Sequence, residues 1–333
     1  MIKIAVDAMG GDYAPGAIVK GCLQAAEVYR DIQIVLVGQS DRIKEHLPGD
    51  ALKPNMEIYE ASEVVEMHEH PAAAVKRKKD SSIVVATRLV KDGYADAVVS
   101  AGSTGAQMAA ALLYLGRIKG INRPAIGTVI PTLQRGKLLL DVGANPDAKA
   151  ENLLQYGIMG KIYAEIILGM NNPKIALLNI GSEEGKGNEL AQKAYELLKN
   201  STLNFVGNVE GRDIPYGTAD VIVCDAFVGN IVLKTIEGMA SSIFGLIKEK
   251  ITANPVRKVG ALLIKSGLKE VAQSLDYEVY GGAPLLGVNG TSIVCHGSSR
   301  EKAIFNAIRV AKECAEQEII QKIAEELEKN YGI

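Results

Sequence analysis

The 333-residue chain lacks most of the features that sort a protein quickly. Its 37 basic and 39 acidic side chains nearly cancel, leaving a net charge of −2. No global field draws it to nucleic acid, so any charged partner must meet a local patch. Cys22, Cys224, Cys295 and Cys314 lack metal-ligand spacing, and Cys224 and Cys295 lie in apolar runs. They read as packed, reduced thiols of a cytosolic protein. No linker rich in Pro, Gly or Ser is present, nor any repeat or low-complexity tract. The familiar nucleotide signatures are missing too. Gly185 and Gly187 open a G-x-G-x-x-G, but its sixth position is Leu190. GSEEGKGN is one residue short of a Walker A loop and has Gly187 where a hydroxyl would bind magnesium. No G-x-S-x-G elbow occurs. A dinucleotide dehydrogenase, a P-loop NTPase and a serine hydrolase all lose ground.

What the chain has is five glycine-rich, nearly uncharged loops after strand-like runs. They are IAVDAMGGD (4–12), VVSAGSTGA (98–106), LLLDVGAN (138–145), LLNIGSEEGKGN (177–188) and VIVCDAFVGN (221–230). A parallel sheet gathers such loops at the C-terminal ends of its strands, where open α/β folds bind ligands. Glycine lets backbone approach an anion, and the helix start after it aims free N–H groups there. Five such loops point to a phosphate-handling site.

Apolar β-rich runs at 2–6, 33–37, 96–99, 125–130, 137–141, 174–179, 203–206 and 220–224 alternate with helical stretches at 16–30, 82–92, 105–116, 148–168 and 187–199. Such alternation predicts βαβ units and a mostly parallel sheet covered on both faces. IGTVIP and GKLLLDVG are joined by TLQR alone, too short for a crossover helix, so they should pair antiparallel and make the sheet mixed. Ser298 and Glu301 have capping-box spacing at the start of a last amphipathic helix running to about residue 329. The first residues enter a strand with Asp7 early, which is no signal-peptide pattern. The uncharged span 97–116 is broken by SAGSTG, so no membrane-spanning segment is expected.

Lys186, between Gly185 and Gly187, suits a phosphate held by one ammonium and a loop backbone; a solvated lysine in a turn fits the same pattern. Asn188 reads as a helix cap before it reads as a ligand. Asp7, Asp141 and Asp225 each end a strand, the first before Gly10 and Gly11, the others before Asn145 and Asn230. A carboxylate there serves as base, as orienting group or as an Asx-type cap. Ser103 and Thr104 suit a phosphate, an oxyanion or a helix cap. His296 ends a strand, either as a catalytic or positioning group or as a packed histidine. His68 and His70 flank Glu69 in a charged loop. Arg77, Lys78 and Lys79 form a basic run, a solvated face or an attraction for an acidic partner.

The strings DAMGGDYAP, SAGSTGA, DVGAN, NIGSEEGKGNEL, CDAFVGNIVLKT, YGGAPLLG and HGSS occur in this order from residue 2 to about 310. Together they resemble the bacterial phosphate acyltransferase (PlsX) family. Tyr13 and Ser103 stand where some members have histidine and asparagine. The resemblance implies a three-layer α/β/α sandwich similar to isocitrate and isopropylmalate dehydrogenases and to phosphotransacetylase, in a dimer needing no cofactor or NAD. It implies transfer of a long-chain acyl group from acyl carrier protein to inorganic phosphate, giving acyl phosphate for membrane phospholipid synthesis. Phosphate would be the nucleophile, with no acylated serine or cysteine.

On this basis Lys186, Asp225 and His296 are the expected catalytic residues. The expected phosphate or substrate ligands are Asp7, Gly10, Gly11, Ser103, Thr104, Asp141, Asn145, Asn188 and Asn230. Arg77, Lys78 and Lys79 are expected to dock the acidic carrier, and no metal or nucleic acid is expected. The chain should be one α/β domain, 1–333, carrying a protruding amphipathic helical hairpin at 236–275. Apolar stripes including Phe244, Ile247, Leu262 and Leu263, with basic flanks, suit contact with the inner face of the cytoplasmic membrane near a glycerol-3-phosphate acyltransferase; a dimer interface or ordinary core fits the stripes as well. Two further readings stay open, a small-acyl phosphotransacetylase and a decarboxylating dehydrogenase on the same fold. A non-enzymatic scaffold is the remaining alternative.

Overall fold

Successive side chains of a strand face opposite sides of a sheet, and in the first strands both sides are buried. Ile4 and Val6 enter one core with Ile34 and Leu36, whereas Ala5 enters another with Val35 and Val37. A sheet covered on both faces needs such continuous apolar runs. The computed structural model describes residues 1–274 and 279–331. Its eleven strands are β1 (Ile2–Asp7), β2 (Ile32–Gly38), β3 (Met56–Glu60), β4 (Ala97–Ser100), β5 (Ala125–Ile130), β6 (Lys137–Leu140), β7 (Ile175–Asn179), β8 (Phe205–Glu210), β9 (Val221–Val223), β10 (Ala283–Leu286) and β11 (Thr291–Val294).

These strands form one mixed sheet in the order β3-β2-β1-β4-β11-β10-β5-β6-β9-β7-β8. The β5–β6 hairpin is antiparallel, as its short connection requires. Strand β10 is antiparallel to both its neighbours, β11 and β5. All other pairs are parallel. The direction therefore reverses for good at β6, and β6, β9, β7 and β8 run opposite to β1–β4 and β11. This corrects the expectation of five loops gathered at one sheet edge. The loops after β1 and β4 lie at one edge, and those after β6, β7 and β9 at the other.

The helices are α1 (Gly16–Val28), α2 (Ser40–Lys44), α3 (Pro71–Arg77), α4 (Ser82–Lys91), α5 (Thr104–Ala110), α6 (Ala150–Ile166), α7 (Glu189–Lys199), α8 (Ala226–Thr252), α9 (Pro255–Leu263), α10 (Lys265–Ser274), α11 (Glu301–Glu316) and α12 (Ile319–Tyr331). Buried residues of α1, α6 and α11 share one core, and those of α4 and α5 share the core behind β1, β2 and β4. The last helix is two helices, because Glu318 takes a positive φ of 51° between α11 and α12. The capping box expected from Ser298 does not form: Arg300 precedes α11 without a side-chain cap.

The long helix α8 leaves this body. Its first turn is fixed by Asp225, whose carboxylate accepts the Val228 N–H at 3.0 Å. It ends at the expected TANP break, where Asn254 caps α9 through the Val256 N–H and Pro255 supplies the first helical residue. Helices α9 and α10 follow, so 236–274 is helical with breaks; residue 275 lies outside the described residues. By length and composition α8 is apolar enough to cross a membrane. Its start is packed in the protein, with Ala226 and Gly229 buried.

Candidate active site

The loop glycines serve first to press loops against each other. A Cβ on Gly10 would stand 2.5 Å from the Asp7 carboxylate and 2.7 Å from the Gly102 nitrogen, so only glycine lets the β1 and β4 loops touch. Asp7 is buried there, accepting the Ser100 hydroxyl at 2.6 Å and the Met9 N–H at 3.2 Å. Burial raises its pKa, opposed by these donors. Gly11 lies against the carbonyl of Gly297, which accepts the Asp12 N–H at 2.8 Å. The loop after β11 thus closes on the same pair.

On the other half of the sheet Asp141 is fully buried and accepts four backbone N–H groups, from Ile126, Gly143, Ala144 and Asn145, at 2.8–3.0 Å. Burial raises its pKa too, again against these donors. It holds the β6 loop in shape, with three of these N–H groups converging on Oδ1 and the fourth on Oδ2. A Cβ on Gly229 would overlap the Asp141 carbonyl, so α8 can start here only with glycine at that position. Asn145 gives its amide to the Tyr156 hydroxyl at 3.1 Å.

From this start α8 carries Lys234 across to the opposite loops. The Lys234 ammonium lies 2.7 Å from His296 Nε2 and 2.8 Å from Glu237 Oε2. An ammonium can only donate, so Nε2 faces a donor there, while Nδ1 lies 2.7 Å from the Ser298 hydroxyl and 3.2 Å from the Ser298 N–H, which hold the ring in place. The group borders a cavity of about 370 Å³ whose walls include Asp12, Thr104, Thr128, Gly143, Asn230 and Gly282. A second cavity of about 710 Å³, mostly apolar, shares Lys234, Glu237 and His296 with the first. Here the two loop sets meet, joined by a helix rather than by a common edge. The arrangement offers one cation, an imidazole and several hydroxyls, suited to an anion and a developing oxyanion.

Of the expected catalytic residues only His296 borders this place. Asp225 and Asn188 cap α8 and α7, Asn188 accepting the Ala191 N–H at 2.9 Å. Both line a separate cavity of about 280 Å³ with Asn179 and Gly187. Val228 lines that cavity and Asn230 the first; two residues turn a helix by about 200°, so α8 separates them. Lys186 is half exposed, its ammonium 3.8 Å from Glu183. Ser103 caps α5 through the Ala106 N–H, while Thr104 and Asn230 reach the 370 Å³ cavity. Asp7 and Asp141 are spent on loop structure, Gly10 and Gly11 on close approach.

The basic run is partly neutralised. Glu69 takes Lys78 at 2.5 Å and Arg77 at 2.6 Å, and Lys78, helped by the Glu66 N–H and Arg77, brings its carboxyl down to about 2. Lys78 also donates to the Val64 carbonyl, so of the three Lys79 alone has no such partner recorded among the described residues. The sequence reading missed Lys234, Glu237, Asp12 and Thr128. Lys234 was within reach: it stands four residues after Asn230, one helical turn along the string CDAFVGNIVLKT.

The architecture is shared with acyl-transferring enzymes. A phosphotransacetylase from Streptococcus pyogenes superposes with a TM-score of 0.62 at 18% identity, covering 95% of this chain and 94% of its own. A 4-hydroxythreonine-4-phosphate dehydrogenase from Klebsiella pneumoniae gives 0.51 at 14%, covering 95% and 99%. At such identities the likeness shows the fold. The family model for fatty acid synthesis protein matches residues 2–322. A protein of Desulfitobacterium hafniense (strain DSM 10664 / DCB-2) named phosphate acyltransferase is 70% identical over 98% of both chains. One of Heliobacterium modesticaldum with the same name is 58% identical over 98% of both. The chain belongs to this fatty acid synthesis protein family, the phosphate acyltransferases.

Proposed function

We propose that this chain transfers a long-chain acyl group from acyl carrier protein to inorganic phosphate. The coarse part, an enzyme of the phosphate acyltransferase type, follows from its family. The observation that supports the finer part is the Lys234–His296 pair at the junction of a polar and an apolar cavity. Phosphate sits against the Lys234 ammonium, with Glu237 balancing the charge when the site is empty. One phosphate oxygen attacks the thioester carbon, the C–S bond breaks, and the carrier leaves as a thiolate that takes up a proton. His296 Nε2, freed from Lys234 by the anion, accepts the proton of a monoanionic phosphate. Lys234 stabilises the tetrahedral oxyanion, a task worth roughly 3–4 kcal/mol per donor, and holding both reactants supplies much of the remaining acceleration. No acyl-enzyme forms and no cofactor takes part.

The carrier docks at the rim formed by Met67, beside Arg77 and Lys79, with Lys78 holding the loop. The chain works as one α/β unit in a homodimer, and the 236–275 hairpin rests on the inner face of the cytoplasmic membrane. There Phe244, Ile247, Leu262 and Leu263 meet lipid, and the basic excess between residues 245 and 270 meets anionic headgroups. Acyl phosphate is released to a membrane glycerol-3-phosphate acyltransferase. The deciding assay follows carrier thiol release with and without phosphate, trapping the product with hydroxylamine. Release that ignores phosphate defeats the reading. Faster reaction of acetyl-CoA than of a long-chain carrier thioester would make the chain a small-acyl phosphotransacetylase.

A further inference from the structure

The 710 Å³ cavity has the shape of an amphiphile. Its wall on α8 is the stripe Leu233, Ile236, Ala240 and Phe244, spaced to share one helix face. The opposite wall is the end of β5 at Val129 and Ile130, both buried. Lys234, Glu237 and His296 stand at one end; from Gly238 to Phe244 the helix carries no charge. Between Ile236 and Phe244 the lining side chains on α8 are small or short, Gly238, Ala240 and Ser241, apart from Glu237 at the polar end, while Met239, Ile243 and Leu246 are exposed. This leaves a groove of ligand size.

We propose that this groove is the binding site for the hydrocarbon tail of the acyl substrate, its carbonyl end at Lys234 and His296 and its methyl end at Phe244. The inference rests on the acyl transfer proposed above and adds the tail's position and length. Leu233 to Phe244 spans about 16 Å of helix, and an extended chain advances about 1.2 Å per bond. The groove therefore holds roughly thirteen carbons along its length, and longer tails emerge past Phe244 toward the hairpin. Each methylene buried in it should raise affinity about fourfold until that length is reached.

Because the chain has no tryptophan, Phe244→Trp supplies a single reporter at the far end. Hexadecanoate should shift its emission to the blue and hexanoate should leave it unchanged, a readout independent of turnover. Ala240→Trp should close the groove about 10 Å from Leu233, lowering kcat/KM at least tenfold for a sixteen-carbon carrier thioester while sparing a six-carbon one. A shift by both acids or by neither overturns the groove, as does a loss equal across chain lengths. An emission that moves with protein concentration instead would give the groove to a second copy of the chain. A specific hexadecanoate shift in a protein that makes no acyl phosphate would keep the tail site and discard the proposed reaction.

Discussion

The sheet body and the α8–α10 arm treat apolar residues in opposite ways. In the body even polar groups at the strand ends are buried and matched, as Asp7 and Asp141 show. In the arm Met239, Ile243, Leu246, Val259, Leu262 and Leu263 are all about half exposed or more. Burying a leucine-sized side chain is worth about 1.5–3 kcal/mol, so the body holds its stability internally. An exposed apolar stretch of the arm's extent usually marks an interaction surface. The body is built to stay as it is and the arm to meet something else, and the first turns of α8, which carry Lys234, belong to both. Substitutions in the three places should therefore differ in kind.

The largest effect is expected in the body. Asp141→Ala removes the acceptor of four backbone N–H groups, and the two that are buried, of Ile126 and Ala144, each cost about 1–3 kcal/mol when left unpaired. A loss of about 4 kcal/mol or more is a large share of the 5–15 kcal/mol that holds a typical domain together. The variant should melt about 6 °C or more below the parent, or fail to fold, by circular dichroism or calorimetry. A melting point within about 3 °C of the parent would mean that water satisfies these groups, and that the body is less closed than its burial indicates.

At the junction the effect should fall on rate and leave stability alone. Lys234→Ala removes an exposed side chain from the site, so its melting point should stay near that of the parent, while turnover drops about a hundredfold. Lys186→Ala, with its ammonium outside the 370 Å³ cavity, should cost less than tenfold. Steady-state kinetics on both variants decide between the cavities. If Lys186→Ala proves the more damaging, the chemistry lies in the cavity of Asn179 and Asn188, and Lys234 merely pairs with His296.

That pair of lysines also shows how far the sequence could be read. Strand and helix periods placed eight of the strands and the β5–β6 hairpin, because those signals are local. Strand β3 and the four-residue β10, which contains Pro284, were not placed as strands, and β11 was read only as the strand that His296 ends; their pairing comes from neighbours far along the chain. The reversal at β6 was implicit in the predicted hairpin, yet its consequence for the loops depends on strand order, which no local pattern contains. The loop strings identified the family and singled out His296 as a candidate. They drew the eye to Lys186, framed by glycines, and away from Lys234, a lone lysine in an apolar helix that becomes significant only when α8 crosses to the β11 loop. Asp141 and Asp225 looked alike in sequence, but only the structure separates a buried acceptor of four N–H groups from a helix cap.

The smallest effect on the body, and the sharpest test of the contrast, is expected at the tip of the arm. Leu262 and Leu263 are 68% and 83% exposed, in a helix with no buried residue. Replacing both with glutamate uncovers no core, so the melting point and turnover of a water-soluble donor should stay close to those of the parent. Binding to vesicles of anionic lipid should be lost, because the change removes two inserting side chains and adds two negative charges facing negative headgroups. Vesicle co-sedimentation, with sizing chromatography alongside, reads both outcomes. Should the double variant dissociate to monomers, aggregate or melt early, the stripe is an interface or core, and the arm obeys the same rule as the body after all.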